Sequence, residues 1–184
     1  MSNISMTTSK RNAIVSVMLI SAFVSMLNQT ILNTALPATI KGLNITETTA
    51  QWLITGFMLV NGIMIPLTAF LMDKYSTRHL YIFSMAIFLI GSIIAAFSPT
   101  FSILMISRII QAIGAGILLP LMQFTVFTLF PAEQRGFAMG LAGVVVQSAP
   151  AIGPTLTGVF VDLFSWRMPF YLVSPIEAVA FILV

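Results

Sequence analysis

The feature that most constrains the fold is a succession of apolar runs, each long enough to cross a lipid bilayer. A transmembrane helix needs about 20 predominantly apolar residues. Runs of this kind lie at roughly 13–35, 50–72, 80–98, 101–128, 137–161 and from 169 onward. The breaks between them, for example from Pro37 to Thr49, carry proline and polar residues. We therefore predict an all-α polytopic membrane protein with six helices, the sixth of which is cut short at Val184.

The composition argues against other classes of protein. Hydrophobic residues make up 58% of the chain and charged residues only 7%, against about 25% charged residues in a soluble domain. A net charge of +3 spread this thinly cannot form a nucleic-acid-binding face. The chain has no cysteine, and neither a catalytic triplet nor a cluster of metal ligands occurs. We expect no enzyme activity, no cofactor, no metal and no nucleic-acid partner.

The basic residues predict the orientation in the membrane, because Lys and Arg are retained on the cytoplasmic side. With the N-terminus inside, the cytoplasmic basic residues are Lys10, Arg11, Lys74, Arg78 and Arg135, and the outer ones are Lys41 and Arg167. Trp52 and Trp166 then both fall at the outer interface, where indole rings concentrate. We predict a multi-pass inner (cytoplasmic) membrane protein whose residues 1–12 form a cytoplasmic tail.

A short segment with a central aspartate recurs along the chain. Leu67–Arg78 reads LTAFLMDKYSTR, and Leu156–Arg167, 89 positions later, reads LTGVFVDLFSWR. Such a period indicates a duplicated unit. Under the predicted orientation the two copies face opposite sides of the membrane. We therefore predict two inverted three-helix repeats, 13–98 and 101–184, a construction found in transporters.

Polar side chains inside the apolar runs are candidate functional residues, because each is costly in hydrocarbon unless it faces protein or water. Arg108 lies roughly 10 Å below the outer surface at 1.5 Å per residue, and Gln111 shares its helix face. Asn28 and Glu177 fall at a similar depth on the first and sixth runs. We predict that these four residues line a water-filled cavity for protons or substrate. The alternative is that they are interhelical hydrogen-bond partners.

The fifth run carries a concentration of proline and glycine, namely Pro150, Gly153, Pro154 and Gly158. Two prolines four residues apart are expected to kink a helix, and the glycines are expected to admit another helix closely. The alternative is that both residue types are simply common in membrane helices.

Four motifs in order along the chain resemble those of one transporter family. They are Leu27–Pro37, Ala69–Arg78, Arg108–Gly114 and Ala149–Gly158, which are similar to a first-helix signature, the loop 2–3 signature, a fourth-helix signature and an antiporter signature of the fifth helix. On these residues the chain resembles the N-terminal half of a major facilitator superfamily transporter. The group it is most similar to is the 14-span drug:proton antiporters, which include multidrug and lincomycin-type efflux pumps.

The resemblance implies a six-helix bundle that rocks against a missing C-terminal half and exports small amphipathic drugs or toxic metabolites in exchange for protons. Its implied partners are membrane lipid, protons, a small-molecule substrate and that second half. It assigns gating to the loop of Asp73 and Arg78, and the repeat makes Asp162 the structural counterpart of Asp73. We assign proton coupling to Arg108, because a fixed positive charge can depress the pKa of a neighbouring carboxylate. Two alternatives stay open: a truncated half that transports nothing, and an uptake symporter of the same superfamily.

One departure from the family pattern concerns the proton site. Members usually carry an acidic residue where this chain has Asn28, and an amide cannot titrate. Glu177 is the only acidic residue clearly inside a span. Either Glu177 carries the proton or the carboxylate belongs to the missing half.

Overall fold

The computed structural model describes residues 7–182, without the side chains of Asp162, Pro169 and Leu172. These residues form six α-helices and no strand: α1 (Thr8–Leu43), α2 (Glu47–Lys74), α3 (Thr77–Ala96), α4 (Phe101–Leu129), α5 (Ala132–Leu163) and α6 (Met168–Ile182). Helices α1 to α5 are long and apolar enough to cross a membrane, and α6 is a shorter apolar helix. The all-α polytopic fold predicted from the apolar runs is confirmed.

Hydroxyl side chains mark the starts of three helices. Thr46, Ser76 and Thr100 precede α2, α3 and α4, and each accepts a hydrogen bond from the backbone N–H three residues later. Such N-caps satisfy donors that have no partner inside the helix. The short polar breaks therefore act as helix boundaries.

The predicted break from Pro37 to Thr49 is wrong over most of its length. Helix α1 continues through Pro37 to Leu43 and ends at Asn44, which has left-handed backbone angles (φ 51°, ψ 50°) and donates its N–H to Ile40 O. A proline removes one backbone donor, which membrane helices tolerate. At its other end α1 begins at Thr8, inside the predicted tail of residues 1–12, whose first six residues lie outside the described part of the chain.

The bundle is organised around α1 and α4. Helix α4 packs mainly on α3 and α2, α5 packs mainly on α1, and α6 packs on α3 and α1. The strongest packing, between α3 and α4, joins the two predicted repeats, 13–98 and 101–184. An offset of 89 residues also separates the end of α2 at Lys74 from the end of α5 at Leu163. The division into inverted repeats stays a prediction.

The two tryptophans differ in their surroundings. Trp52 is 54% exposed, as expected of an interfacial residue, but Trp166 is only 6% exposed. Its indole packs against Gly42 near the end of α1, where a Cβ atom would collide with the ring. Arg167 stacks on this indole at 4.6 Å and donates from Nη2 to Ser98 O at 2.8 Å. Trp166 therefore fastens the α5–α6 turn to the bundle and faces protein, and its level at the outer interface stays a prediction.

Candidate functional site

Arg108 is the centre of a buried polar network. Its side chain is 1% exposed, and Nη1 donates hydrogen bonds to Asn28 Oδ1 at 2.6 Å and to Gln111 Oε1 at 2.9 Å. The guanidinium carbon lies 4.2 Å from the centre of the Phe57 ring, in a cation–π arrangement. Two neutral amide oxygens and one aromatic face from α1, α4 and α2 thus surround a positive charge.

Gln111 extends this network to α3. Its Nε2 donates to Ser92 Oγ at 3.0 Å, and Ser92 donates to Phe88 O at 3.0 Å. Gly91 allows the approach, because a Cβ atom at that position would lie 2.9 Å from the backbone nitrogen of Gln111. We refer to Asn28, Arg108, Gln111 and Ser92 as the buried polar network.

Glu177 reaches the same region from α6. Its side chain is 1% exposed and lies beside Ser92 and Asn28. Neither carboxyl oxygen makes a hydrogen bond of normal geometry with a described residue, and the same holds for Asn28 Nδ2 and Arg108 Nε. Buried polar atoms without partners are costly. A proton can bind to a carboxyl oxygen of Glu177, and a water molecule can accept a hydrogen bond from Asn28 Nδ2 or Arg108 Nε.

The structure brings together all four residues that were singled out inside the spans, at one level of the bundle. It does so as a closed arrangement, because Asn28, Arg108, Gln111 and Glu177 are each at most 1% exposed. In this conformation they do not line an open cavity: Asn28, Arg108 and Gln111 are joined by hydrogen bonds, and Glu177 lies beside them. Their role in proton coupling or substrate binding stays a prediction.

Two contributors to the network are absent from the sequence-based predictions. Phe57 lies in an apolar run, where nothing distinguishes it from neighbouring large side chains. Ser92 follows Gly91, and such a pair of small residues indicates close helix packing in membranes. That signal identifies a packing position but not the hydrogen bond to Gln111.

A cavity of about 290 Å³ lies next to the network, between α1, α2 and α4. Its lining residues are Ser25, Met26, Gln29, Met58, Asn61, Gly62, Ile65, Ala115 and Leu119. We call it the amide cavity after Gln29 and Asn61. A second cavity, of about 220 Å³ between α1, α5 and α6, is almost entirely apolar.

Helix α5 contains Pro150 and Pro154 within one continuous helix. Gly153 is buried, and a Cβ atom there would collide with Thr30 Oγ1 on α1, so the expected close approach occurs at this position. Gly158 is different, because no described atom lies within 4 Å of a Cβ atom built on it. Five residues along an α-helix lead to another face, and Thr157 is the residue buried one turn after Gly153.

Asp73 and Arg78 flank the turn between α2 and α3, and both are exposed. The N-terminus of α3 is capped by Ser76, whose Oγ accepts from His79 N at 3.4 Å and lies 2.7 Å from His79 Nδ1. Ser76, rather than Asp73, therefore caps the N-terminus of α3. The gating role of Asp73 and Arg78 stays a prediction.

Comparison with known proteins identifies a matching family and several similar transporters. The family described as Major Facilitator Superfamily matches residues 18–184. A protein named Uncharacterized MFS-type transporter YcnB, from Bacillus subtilis (strain 168), is 52% identical over 94% of this chain and 37% of its own length. Lincomycin resistance protein LmrB from the same organism is 41% identical over 90% of this chain and 34% of its own length. The chain thus spans about a third of these relatives.

A solved structure has the same fold. It is the crystal structure of a bacterial homolog to the human lysosomal transporter Spinster, in an inward-facing and unoccupied conformation. The TM-score is 0.76 at 17% sequence identity, over 97% of this chain and 43% of the other. At this identity the likeness concerns the fold alone.

Proposed function

The chain belongs to the major facilitator superfamily, and we propose that it forms the N-terminal half of a proton-coupled exporter of small amphipathic compounds. The name of LmrB, a lincomycin resistance protein, supports export of a toxic compound. So does the proline- and glycine-rich helix α5, which resembles an antiporter motif. The second bundle, absent from this chain, completes the transport pathway by alternating access.

The observation that carries the proposal is the buried charge of Arg108. A cation inside a membrane protein is costly and normally serves an ion or substrate pathway. Here its hydrogen bonds go to Asn28 and Gln111, which are neutral. Such a charge favours the arrival of a negative group or the departure of a proton nearby. Arg108 therefore couples proton movement to rearrangement of α1 and α4.

Glu177 is our candidate for the proton carrier. It lies beside Asn28, the position where the family pattern has an acid, and neither of its carboxyl oxygens makes a hydrogen bond of normal geometry within the described chain. Asn28 lies between Glu177 and Arg108: its Oδ1 accepts from Nη1, and its Nδ2, which makes no hydrogen bond within the described chain, is available to donate to an ionised Glu177. Protonation at Glu177 is thereby sensed by the network without direct contact between the carboxylate and the guanidinium.

The remaining assignments follow the same proposal. Helices α2 and α5 leave much apolar surface exposed, including Leu59, Ile63, Val144 and Val159, and these faces suit the second bundle or lipid. Asp73 and Arg78 act at the interface with that bundle. The N-terminus lies in the cytoplasm of a bacterial cell, and the protein resides in its inner membrane.

The full-length transporter that carries this half tests the proposal after reconstitution in proteoliposomes. An imposed proton gradient should drive accumulation of an amphipathic substrate, and a protonophore should abolish it. Exchange of substrate against protons identifies an antiporter, whereas movement of both in the same direction identifies the symporter alternative. Absence of any gradient-driven transport across a panel of toxic amphipathic compounds would contradict a transport function.

Glu177→Gln should reduce gradient-driven accumulation in the full-length transporter at least tenfold, because the amide keeps the shape but cannot carry a proton. Substrate exchange without a gradient should persist, since it needs no net proton transfer. The matched control is Glu47→Gln, at an exposed position in the first turn of α2. Full coupling in Glu177→Gln would assign the proton to the other half.

A further inference from the structure

We propose that the amide cavity binds the uncharged, hydrogen-bonding part of an amphipathic substrate and discriminates against permanent cations. The inference rests on the proposed transport function and adds the chemical class of the substrate. It concerns side chains outside the buried polar network, chiefly Gln29 on α1 and Asn61 on α2.

The amides of Gln29 and Asn61 are available to a ligand. Both side chains line the cavity and are partly buried. Within the described chain neither makes a side-chain hydrogen bond, whereas the neighbouring Asn28 is bound to Arg108. A carboxamide offers both donors and an acceptor, and a few convergent polar groups in a mostly apolar cavity typically orient a small molecule. This pair therefore suits a ligand hydroxyl, carbonyl or amide group.

The rest of the cavity wall is apolar and adaptable. Met26 and Met58 face the cavity together with Ile65 and Leu119. Methionine side chains are flexible and polarisable, and they fit ligands of differing shape. The wall therefore accommodates an apolar moiety of variable outline while the amides hold its polar part.

The charges around the cavity disfavour a cation. No charged residue lines it. The guanidinium of Arg108 bonds to Asn28, the neighbour of the lining residue Gln29, and to Gln111, one turn before the lining residue Ala115. A positive charge this near disfavours a cation in the cavity. Glu177, the carboxyl group inside the described bundle, lies on α6 and does not line this cavity.

The test uses the full-length transporter in proteoliposomes with two probes, chloramphenicol and tetraphenylphosphonium. The first is uncharged and carries hydroxyl and amide groups, and the second is a permanent cation without hydrogen-bond donors. We expect the wild type to prefer chloramphenicol. Asn61→Leu should raise its KM about fivefold to tenfold, the loss of one neutral hydrogen bond. Asn61→Asp should raise uptake of the cation about tenfold.

Gln51→Leu is the control, because Gln51 is an exposed amide on the same helix outside the cavity, and it should leave both KM values unchanged. Thermal stability of each variant checks that it is folded. Preference for tetraphenylphosphonium, no uptake of chloramphenicol, or an unchanged KM in both Asn61→Leu and Gln29→Leu would overturn the inference. If the inference is overturned but tetraphenylphosphonium is taken up in a proton-driven manner, the proposed transport function still stands.

Discussion

Arg108→Gln in the full-length transporter is expected to abolish substrate accumulation driven by a proton gradient while preserving substrate exchange. The change removes the positive charge but keeps hydrogen-bonding capacity beside Asn28 and Gln111. Each charge-assisted hydrogen bond of the guanidinium is worth about 1.5–3 kcal/mol. Loss of the guanidinium also removes the cation–π contact with Phe57, whose ring centre lies 4.2 Å from the guanidinium carbon. Coupling fails because a proton on a nearby carboxyl group no longer encounters a fixed charge.

Arg108→Lys distinguishes charge from geometry. Lysine keeps the charge but lacks the planar guanidinium that stacks on Phe57 while its Nη1 donates to both Asn28 and Gln111. We expect at least a tenfold loss of gradient-driven accumulation, equivalent to about 1.4 kcal/mol. Lys41→Gln, at an exposed site in the last turn of α1, should be silent. Normal coupling in Arg108→Gln would remove Arg108 from the mechanism and leave it a packing residue.

Much of the fold could be predicted from the sequence because the bilayer imposes a length on every apolar run. The helix count follows directly, and the caps at Thr46, Ser76 and Thr100 lie in predicted polar breaks or beside them. Depth could be predicted as well, since counting residues from the predicted helix ends placed Asn28 and Arg108 at one level, where they hydrogen-bond. Proline was the misleading signal, as α1 continues past Pro37.

The lateral arrangement of the helices could not be predicted in the same way. Depth says nothing about which faces meet, so Phe57 could not be assigned to Arg108 from its position. For a related reason the sequence left two alternatives for Gln111, a cavity or a helix interface, and in the structure its side chain bonds to Arg108 and Ser92. Gly153 and Gly158 belong to one motif but face different neighbours. The neighbours of each of these residues depend on which helices pack together, and residue depth does not give that information.

Gly114→Ala should destabilise the protein by about 1–3 kcal/mol, the usual cost of overpacking. Helix propensity alone predicts the opposite sign, because alanine is favoured over glycine by up to about 1 kcal/mol in a helix interior. A Cβ atom at Gly114 would lie 2.6 Å from Ser84 O, 2.8 Å from Phe88 Cβ and 3.0 Å from Phe88 N on α3. Helices α3 and α4 would have to separate, which would also stretch the bond between Gln111 and Ser92.

Thermal unfolding of the purified full-length transporter measures this effect, with Gly136→Ala as the matched control. Nothing described lies within 4 Å of a Cβ atom at Gly136, so that variant should be neutral or slightly stabilised. Phe88→Ala should not rescue Gly114→Ala, because the obstructing atoms are backbone atoms and a Cβ that alanine retains. A melting temperature for Gly114→Ala at or above the wild type would show that α3 and α4 are farther apart than described. The opposite signs expected at Gly114 and Gly136 thus separate helix packing from intrinsic helix propensity.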